Sequence, residues 1–234
     1  MRISRQSSYT LHSRPYRETS LLIDVFSRDH GRKTVLAKGI RNLKSRNRCA
    51  TIPFSRHSIG WAGKGELPVL TQAEHDGPVN LLKGKERVCG FYANELLVKL
   101  LHRHDPHPAL FDAYDDLLNA LGKEKSVEVG LRILEKVLLR ELGYALDLDR
   151  EANGTVPIDP GIQYRYVPMY GVIRADDDNR GVTVSGATLL ALSREEFSDR
   201  QSVEECKHLM RSIISHQLGH YRLRSRNLLR AFKT

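Results

Sequence analysis

Leu21-Leu22-Ile23-Asp24-Val25-Phe26, halted at Asp29-His30-Gly31 and resumed as Lys33-Thr34-Val35-Leu36-Ala37-Lys38, is the stretch on which the fold turns. Both halves are rich in β-branched and aromatic side chains, which suit a pleated strand, and the Asp-His-Gly between them is turn chemistry. The pattern extends outward in both directions. Residues 8–13 upstream, and 54–61 and 67–71 downstream, are further candidate strands, set apart by Arg14-Pro15, by Gly39 and by Gly63-Lys64-Gly65. Five strands in about 75 residues fit a small closed barrel; an antiparallel sandwich wants more strands, and parallel βαβ units need helical crossovers that are missing. The longest break, Ile40 to Thr51, falls between the third and fourth strands.

From Leu81 onward the apolar spacing becomes helical, which places a domain boundary near Asn80. Phe91, Leu96, Leu97, Leu100 and Leu101 predict one helix, stopping before His104-Asp105-Pro106. Leu110, Tyr114, Leu117, Leu118 and Leu121 predict a second, and Val127, Leu131, Leu134, Leu138 and Leu142 a third, with Gly122 and Gly143 at their C-caps. Residues 154–186 lose this period; Tyr164-Arg165-Tyr166-Val167 with Val172-Ile173 read as a hairpin or irregular insertion. Ser202 and Glu205 form a capping box before a helix carrying Cys206, Leu209, Ile213, Ile214 and Leu218. Ser225 caps a final basic turn through Leu228, Leu229 and Phe232. The expected class is therefore α+β: a five-stranded barrel over residues 1–80, then a helical domain over 81–234 with an insertion near 150–186.

Composition narrows the function. No window approaches the roughly 18 to 20 apolar residues of a membrane helix, and the start lacks the apolar core of a secretion signal, so no membrane partner and a cytoplasmic address are expected. Cys49, Cys89 and Cys206 are odd in number and far apart, which builds neither a disulfide framework nor a CxxC-type zinc site. The net charge of +9 is concentrated at the ends. Residues 1–80 hold 14 basic and 6 acidic side chains, residues 81–199 hold 15 and 20, and residues 200–234 hold 8 and 2. Within the first block, Arg28, Arg32, Lys33, Lys38, Arg41, Lys44, Arg46 and Arg48 face Asp29 alone, too skewed for pairing within the chain. A phosphate backbone is the natural ligand, because counterion release asks for charge and not for fixed geometry. Arg56 on the adjacent strand adds to the patch, and the bland alternative is a solvated loop. Base stacking would draw on exposed rings, for which Tyr9, Tyr16 and Trp61 are candidates, with Phe26 and Phe54 assigned to the core.

Enzyme signatures are incomplete. His102, His104 and His107 surround Asp105, and His216 and His220 stand four apart, but Gln217 replaces the glutamate of a zinc-hydrolase helix and Gly219 ends the helix early. The Gly60-Trp61-Ala62-Gly63-Lys64-Gly65 run lacks the Ser or Thr of a phosphate loop, and Asp176-Asp177-Asp178 lacks the glycine and distal glutamate of a calcium loop. No catalytic residue, metal or cofactor is expected, with a metal-dependent nuclease or hydrolase, or an RNA-binding module, as the alternatives.

Leu11-His12-Ser13-Arg14-Pro15-Tyr16-Arg17-Glu18-Thr19-Ser20, Asp24-Val25-Phe26, Gly31-Arg32, Ala37-Lys38-Gly39, Asn94-Glu95-Leu96-Leu97, Leu142-Gly143-Tyr144 and Arg224-Ser225-Arg226-Asn227-Leu228-Leu229-Arg230 together resemble the bacterial RecO recombination-mediator family. That resemblance implies an N-terminal OB-fold for single-stranded DNA and a helical domain for protein partners. It implies no catalysis, but strand annealing and, with RecR, help in loading recombinase onto DNA coated by single-strand-binding protein. Many such relatives carry a four-cysteine zinc module after the third helix; residues 147–186 contain no cysteine, so zinc is not carried over. The acidic, aromatic-ended tail of single-strand-binding protein calls for a cation beside an apolar groove. Arg132, next to Leu131 and Ile133, is the candidate, with pairing to Glu128 or Glu135 as the alternative.

Overall fold

Strand β1 (Arg2–Tyr16) is 15 residues long because it serves two neighbours. Its C-terminal part pairs antiparallel with β2 (Ser20–Ser27), and its N-terminal part with β4 (Arg56–Ala62). Register shifts between Thr10 and His12 and between Ile3 and Gln6 bend it from one partner to the other. β2 continues antiparallel into β3 (Gly31–Ala37), β4 into β5 (Val69–His75), and a short parallel contact of β3 with β5 closes the barrel in the order β1-β2-β3-β5-β4. Ile23, Val25, Val35, Ala37, Ile59, Trp61, Leu70 and Ala73 fill it, with Ile40 and Ala50 added from the β3–β4 connection. The described residues are 2–121, 127–175 and 180–231, in a computed structural model.

The outer face of β1 and β2 is covered by α1 (Gly84–Leu100) and α2 (Pro108–Leu121). Tyr9 meets Phe111 and Tyr114 at ring separations of 5.3 and 5.0 Å, and Phe26 meets Phe111 at 5.5 Å. Gly90 admits the Phe54 ring, because a Cβ there would lie 2.7 Å from a Phe54 ring carbon. The buried Asn94 of α1 donates to the Leu11 carbonyl at 2.9 Å and accepts from the Tyr114 hydroxyl at 2.5 Å, so one amide ties α1 to both β1 and α2. These contacts carry the first compact unit past Asn80: it comprises Met1–Glu124 and Leu223–Thr234.

The C-terminal segment joins that unit through the neighbouring residue. The Glu95 carboxylate accepts from the Arg224 and Ser225 amides, both at 2.9 Å, and from the Ser225 hydroxyl at 2.6 Å. Ser225 thus donates to Glu95 at the start of α6 (Ser225–Ala231), where the sequence pattern assigned its oxygen to capping. Glu95→Ala should cost about 2 kcal/mol, the usual scale for hydrogen bonds to a charged group. It should also speed tryptic cleavage after Arg222 and Arg224, which limited proteolysis would measure.

The second unit, Lys125–Arg222, holds α3 (Val127–Glu141), a three-stranded antiparallel sheet, α4 (Gly186–Arg194) and α5 (Arg200–Leu218). The sheet comprises β6 (Gln163–Val167), β7 (Gly171–Arg174) and β8 (Val182–Ser185) in the order β7-β6-β8, so the expected hairpin gains a third strand. Tyr164, Tyr166, Val172 and Val184 pack against Leu139, Leu189, Leu209 and Ile213. The expected capping box is divided between two helices. Asp199 caps α5 by accepting from the Ser202 amide at 2.7 Å, while Glu205 reaches across to the Ser185 amide and hydroxyl and to the Thr188 hydroxyl at the start of α4. Gly143, at φ +83, follows α3 as its spacing predicted.

Candidate nucleic-acid interface

The connection leaving β3 is pinned at both ends and carries most of the cations. Its entry is held by the Arg41 amide donating to the Thr19 carbonyl at 3.1 Å and the Arg41 guanidinium to the Glu18 carbonyl at 2.8 Å. Its exit is held by Asn47, whose side-chain oxygen accepts from the Ala73 amide of β5 at 3.0 Å. Between these anchors, Asn42 turns the chain by accepting from the Lys44 amide at 3.0 Å. Lys38, Arg41, Lys44, Arg46 and Arg48 are all exposed, and so is Leu43 at 80%. Among the described residues, none of these five cations is in an ion pair.

The other patch residues are placed differently. Arg32 and Lys33 lie on β3 and are half-buried; Arg32 donates Nε to the Leu101 carbonyl at 3.1 Å, and burial pushes the Lys33 amine down. Arg28 and Arg56 lie in the same unit, but each is engaged by α2. Arg28 grips Asp112 with two bonds of 3.2 and 3.0 Å, which holds its guanidinium above the usual range. Arg56 lies 3.2 Å from Asp76 and 3.6 Å from Asp115. No local signal announces these pairs, since Arg28 and Asp112 are 84 residues apart. An arginine already neutralised displaces fewer counterions. Arg28→Ala or Arg56→Ala should therefore change the salt dependence of nucleic-acid binding far less than Lys44→Ala, which should lower the slope by about 0.7. Fluorescence anisotropy across a salt series checks this.

The expected exposed rings are corrected. Tyr9 and Trp61 are 2% and 4% exposed. Tyr9 lies under α2 with its hydroxyl on Asp115, and burial pushes its phenol well up. Trp61 belongs to the barrel core, with the His30 ring edge-on at 5.4 Å. Barrel closure and helix docking hid both, and only Tyr16 keeps a partly open face, with Arg17 5.4 Å over its ring. Phe26 and Phe54 are buried, as their strand contexts predicted.

Among the described residues, no group of three or more His, Cys, Asp or Glu side chains is placed to hold a metal ion. His107 is buried 3.5 Å from Asp105, while His102 and His104 are exposed. In the second unit, Gly219 follows the end of α5 at Leu218 and His220 lies beyond it. Asp176, Asp177 and Asp178 lie outside the described residues. Arg132 does not stand at the edge of the apolar stripe: it is 6% exposed and donates to Glu135, itself fully buried, at 2.6 Å. The i,i+3 spacing put Glu135 within reach, and burial made it the partner. The nearby Cys206 thiol is pushed up to about 12 by burial.

A closed five-stranded barrel of this strand order, with a cationic β3–β4 connection and helices packed on its outer face, defines an OB-fold protein with an appended helical unit. Within that class the chain belongs to the recombination protein O family: the family's N-terminal model matches residues 1–77 and its C-terminal model residues 86–227. It is similar to the protein named DNA repair protein RecO in Aromatoleum aromaticum, at 44% identity over 98% of this chain and 96% of the relative. The proteins of that name in Nitrosococcus oceani and Coxiella burnetii are 41% and 40% identical, over 98% and 97% of this chain and 94% and 98% of theirs.

Proposed function

We propose that the chain acts in DNA repair and recombination as a non-enzymatic mediator, binding single-stranded DNA through the exposed cations of the β3–β4 connection. On this reading it works in the cytoplasm at the nucleoid, anneals complementary strands and, with RecR, helps load recombinase onto DNA coated by single-strand-binding protein. The observation that carries it is the set of five exposed cations, without ion-pair partners among the described residues, on an anchored barrel connection. Exposed Leu43 in their midst offers an apolar surface to a base. The acidic tail of single-strand-binding protein remains the expected partner of the helical part; buried Arg132 does not supply the open cation such a tail needs.

If four to six phosphates are neutralised, log affinity should fall with log salt at a slope of roughly −3 to −4. The variant Arg41→Ala/Lys44→Ala/Arg46→Ala should lower that slope by about 2 and weaken binding near 0.1 M salt by roughly 100-fold, with unfolding unchanged. An unaltered slope in the folded variant would refute the interface. Annealing of strands coated with single-strand-binding protein tests the mediator role. Annealing lost to a chelator, or DNA cleavage, would favour a metal nuclease, and preferential competition by structured RNA an RNA-binding module.

A further inference from the structure

The α1–α2 connection is built onto the edge of β3, and the way it is built concentrates like charge. Arg103 bridges Arg32 in a short parallel pairing, the His104 amide donates to the Arg32 carbonyl at 2.9 Å, and the Arg32 guanidinium returns a bond to the Leu101 carbonyl. Gly31 lets the two backbones touch: a Cβ there would lie 2.0 Å from the Asp105 carbonyl oxygen. His104 holds a left-handed backbone, φ +64, a conformation that costs free energy and persists only where its surroundings enforce it.

The result is a cluster in which Arg32 and Lys33 from β3 stand beside exposed Arg103 and His104, with exposed His102 next in sequence. Like charges on directly paired positions repel. The acidic groups around them answer that repulsion only in part. Asp24, which accepts from Thr34, also faces Arg32, and Asp105 is within 3.5 Å of His107; at His104, burial first and then Lys33, Arg103 and Arg32, opposed by Glu66, disfavour the imidazolium. Among the described residues, neither Lys33 nor Arg103 is in an ion pair.

We propose that the α1–α2 connection forms a second wall of the nucleic-acid path, in which Arg103 and His104, with Arg32 and Lys33 of β3, hold backbone phosphates of a strand also held by the β3–β4 connection. This rests on the single-stranded DNA reading given above and extends it to a segment outside the barrel. Phosphodiester oxygens are the fitting ligand, since a run of them meets several cations at once without set geometry.

The test is anisotropy titration of an oligothymidine across a salt series with the full chain, comparing the parent, Arg103→Gln/His104→Asn, Arg103→Lys/His104→Asn, and Arg41→Ala/Lys44→Ala/Arg46→Ala. Asn tolerates the left-handed backbone at position 104, and circular dichroism confirms folding. Arg103→Gln/His104→Asn should lower the slope by about 0.7, the share of Arg103, since the His104 imidazolium is disfavoured, and weaken binding near 0.1 M salt by roughly 5-fold. Lysine at position 103 should recover about 0.7 of the slope. A parental slope in the folded Arg103→Gln/His104→Asn variant, with a flattened one in the β3–β4 triple variant, overturns the second wall and leaves the barrel interface standing. A parent that binds oligothymidine without salt dependence overturns both.

Discussion

Arg132→Ala is expected to lower the free energy of unfolding by about 3–5 kcal/mol, because it breaks a buried ion pair whose carboxylate has no access to water. The Arg132 and Glu135 side chains are 7% and 1% exposed and meet at 2.6 Å. Their mutual attraction offsets the cost of taking both charges out of water, so removing one leaves that cost uncompensated. Replacing both should be far milder: Arg132→Leu/Glu135→Leu should recover most of the loss, since apolar side chains of similar volume dispense with desolvation altogether. Urea unfolding of the two single variants and the double gives the coupling. A double variant no more stable than Arg132→Ala would mean that lost packing, and not the broken ion pair, is the cause. The same logic bears on partner binding, since weakened peptide capture by Arg132→Ala would report damage to the fold; the double variant is the sound control.

Gly31→Ala is expected to cost on the order of 4 kcal/mol, from two sources that act together. Alanine at φ +63 is strained by about 1–2 kcal/mol. Its methyl group would also lie 2.0 Å from the Asp105 carbonyl oxygen and 2.4 Å from the carbonyl carbon, both backbone atoms that cannot swing aside. The α1–α2 connection must lift instead, breaking the His104 amide bond to the Arg32 carbonyl and the Arg32 bond to the Leu101 carbonyl. Overpacking of this kind typically costs a further 1–3 kcal/mol. Equilibrium unfolding should show the midpoint fall with the denaturant slope unchanged. A variant as stable as the parent would show that the connection lies on β3 only loosely, and would weaken the case for Arg103 and His104 as a built wall.

The amino-acid sequence by itself determined most of the elements and their order, though not β8 or α4. β-Branched runs broken by Gly, Pro and Asp gave β2 and β3 to within two residues, and three- and four-residue apolar spacing gave α1, α2 and α3, because strand, turn and helix preferences act over a few neighbouring positions. The cationic connection was legible for the same reason: eight basic residues against one acidic in a short span is a local count. Tertiary structure alone decided which side chains remain available. Tyr9 and Trp61 became core, Arg28 and Arg56 became partners of α2 carboxylates, Arg132 closed on Glu135, Glu205 left its own helix for Ser185, and Arg103 and His104 came to lie beside Arg32 and Lys33. Nearly all of these depend on which distant segments meet, and the burial of Tyr9, Trp61 and Arg132 on how much water is excluded there. An ion pair 84 residues apart or a ring sealed by a helix leaves no periodicity in the chain, since charge attraction in the one and apolar burial in the other arise at a contact that exists only once the barrel has closed and α1 and α2 have docked on it.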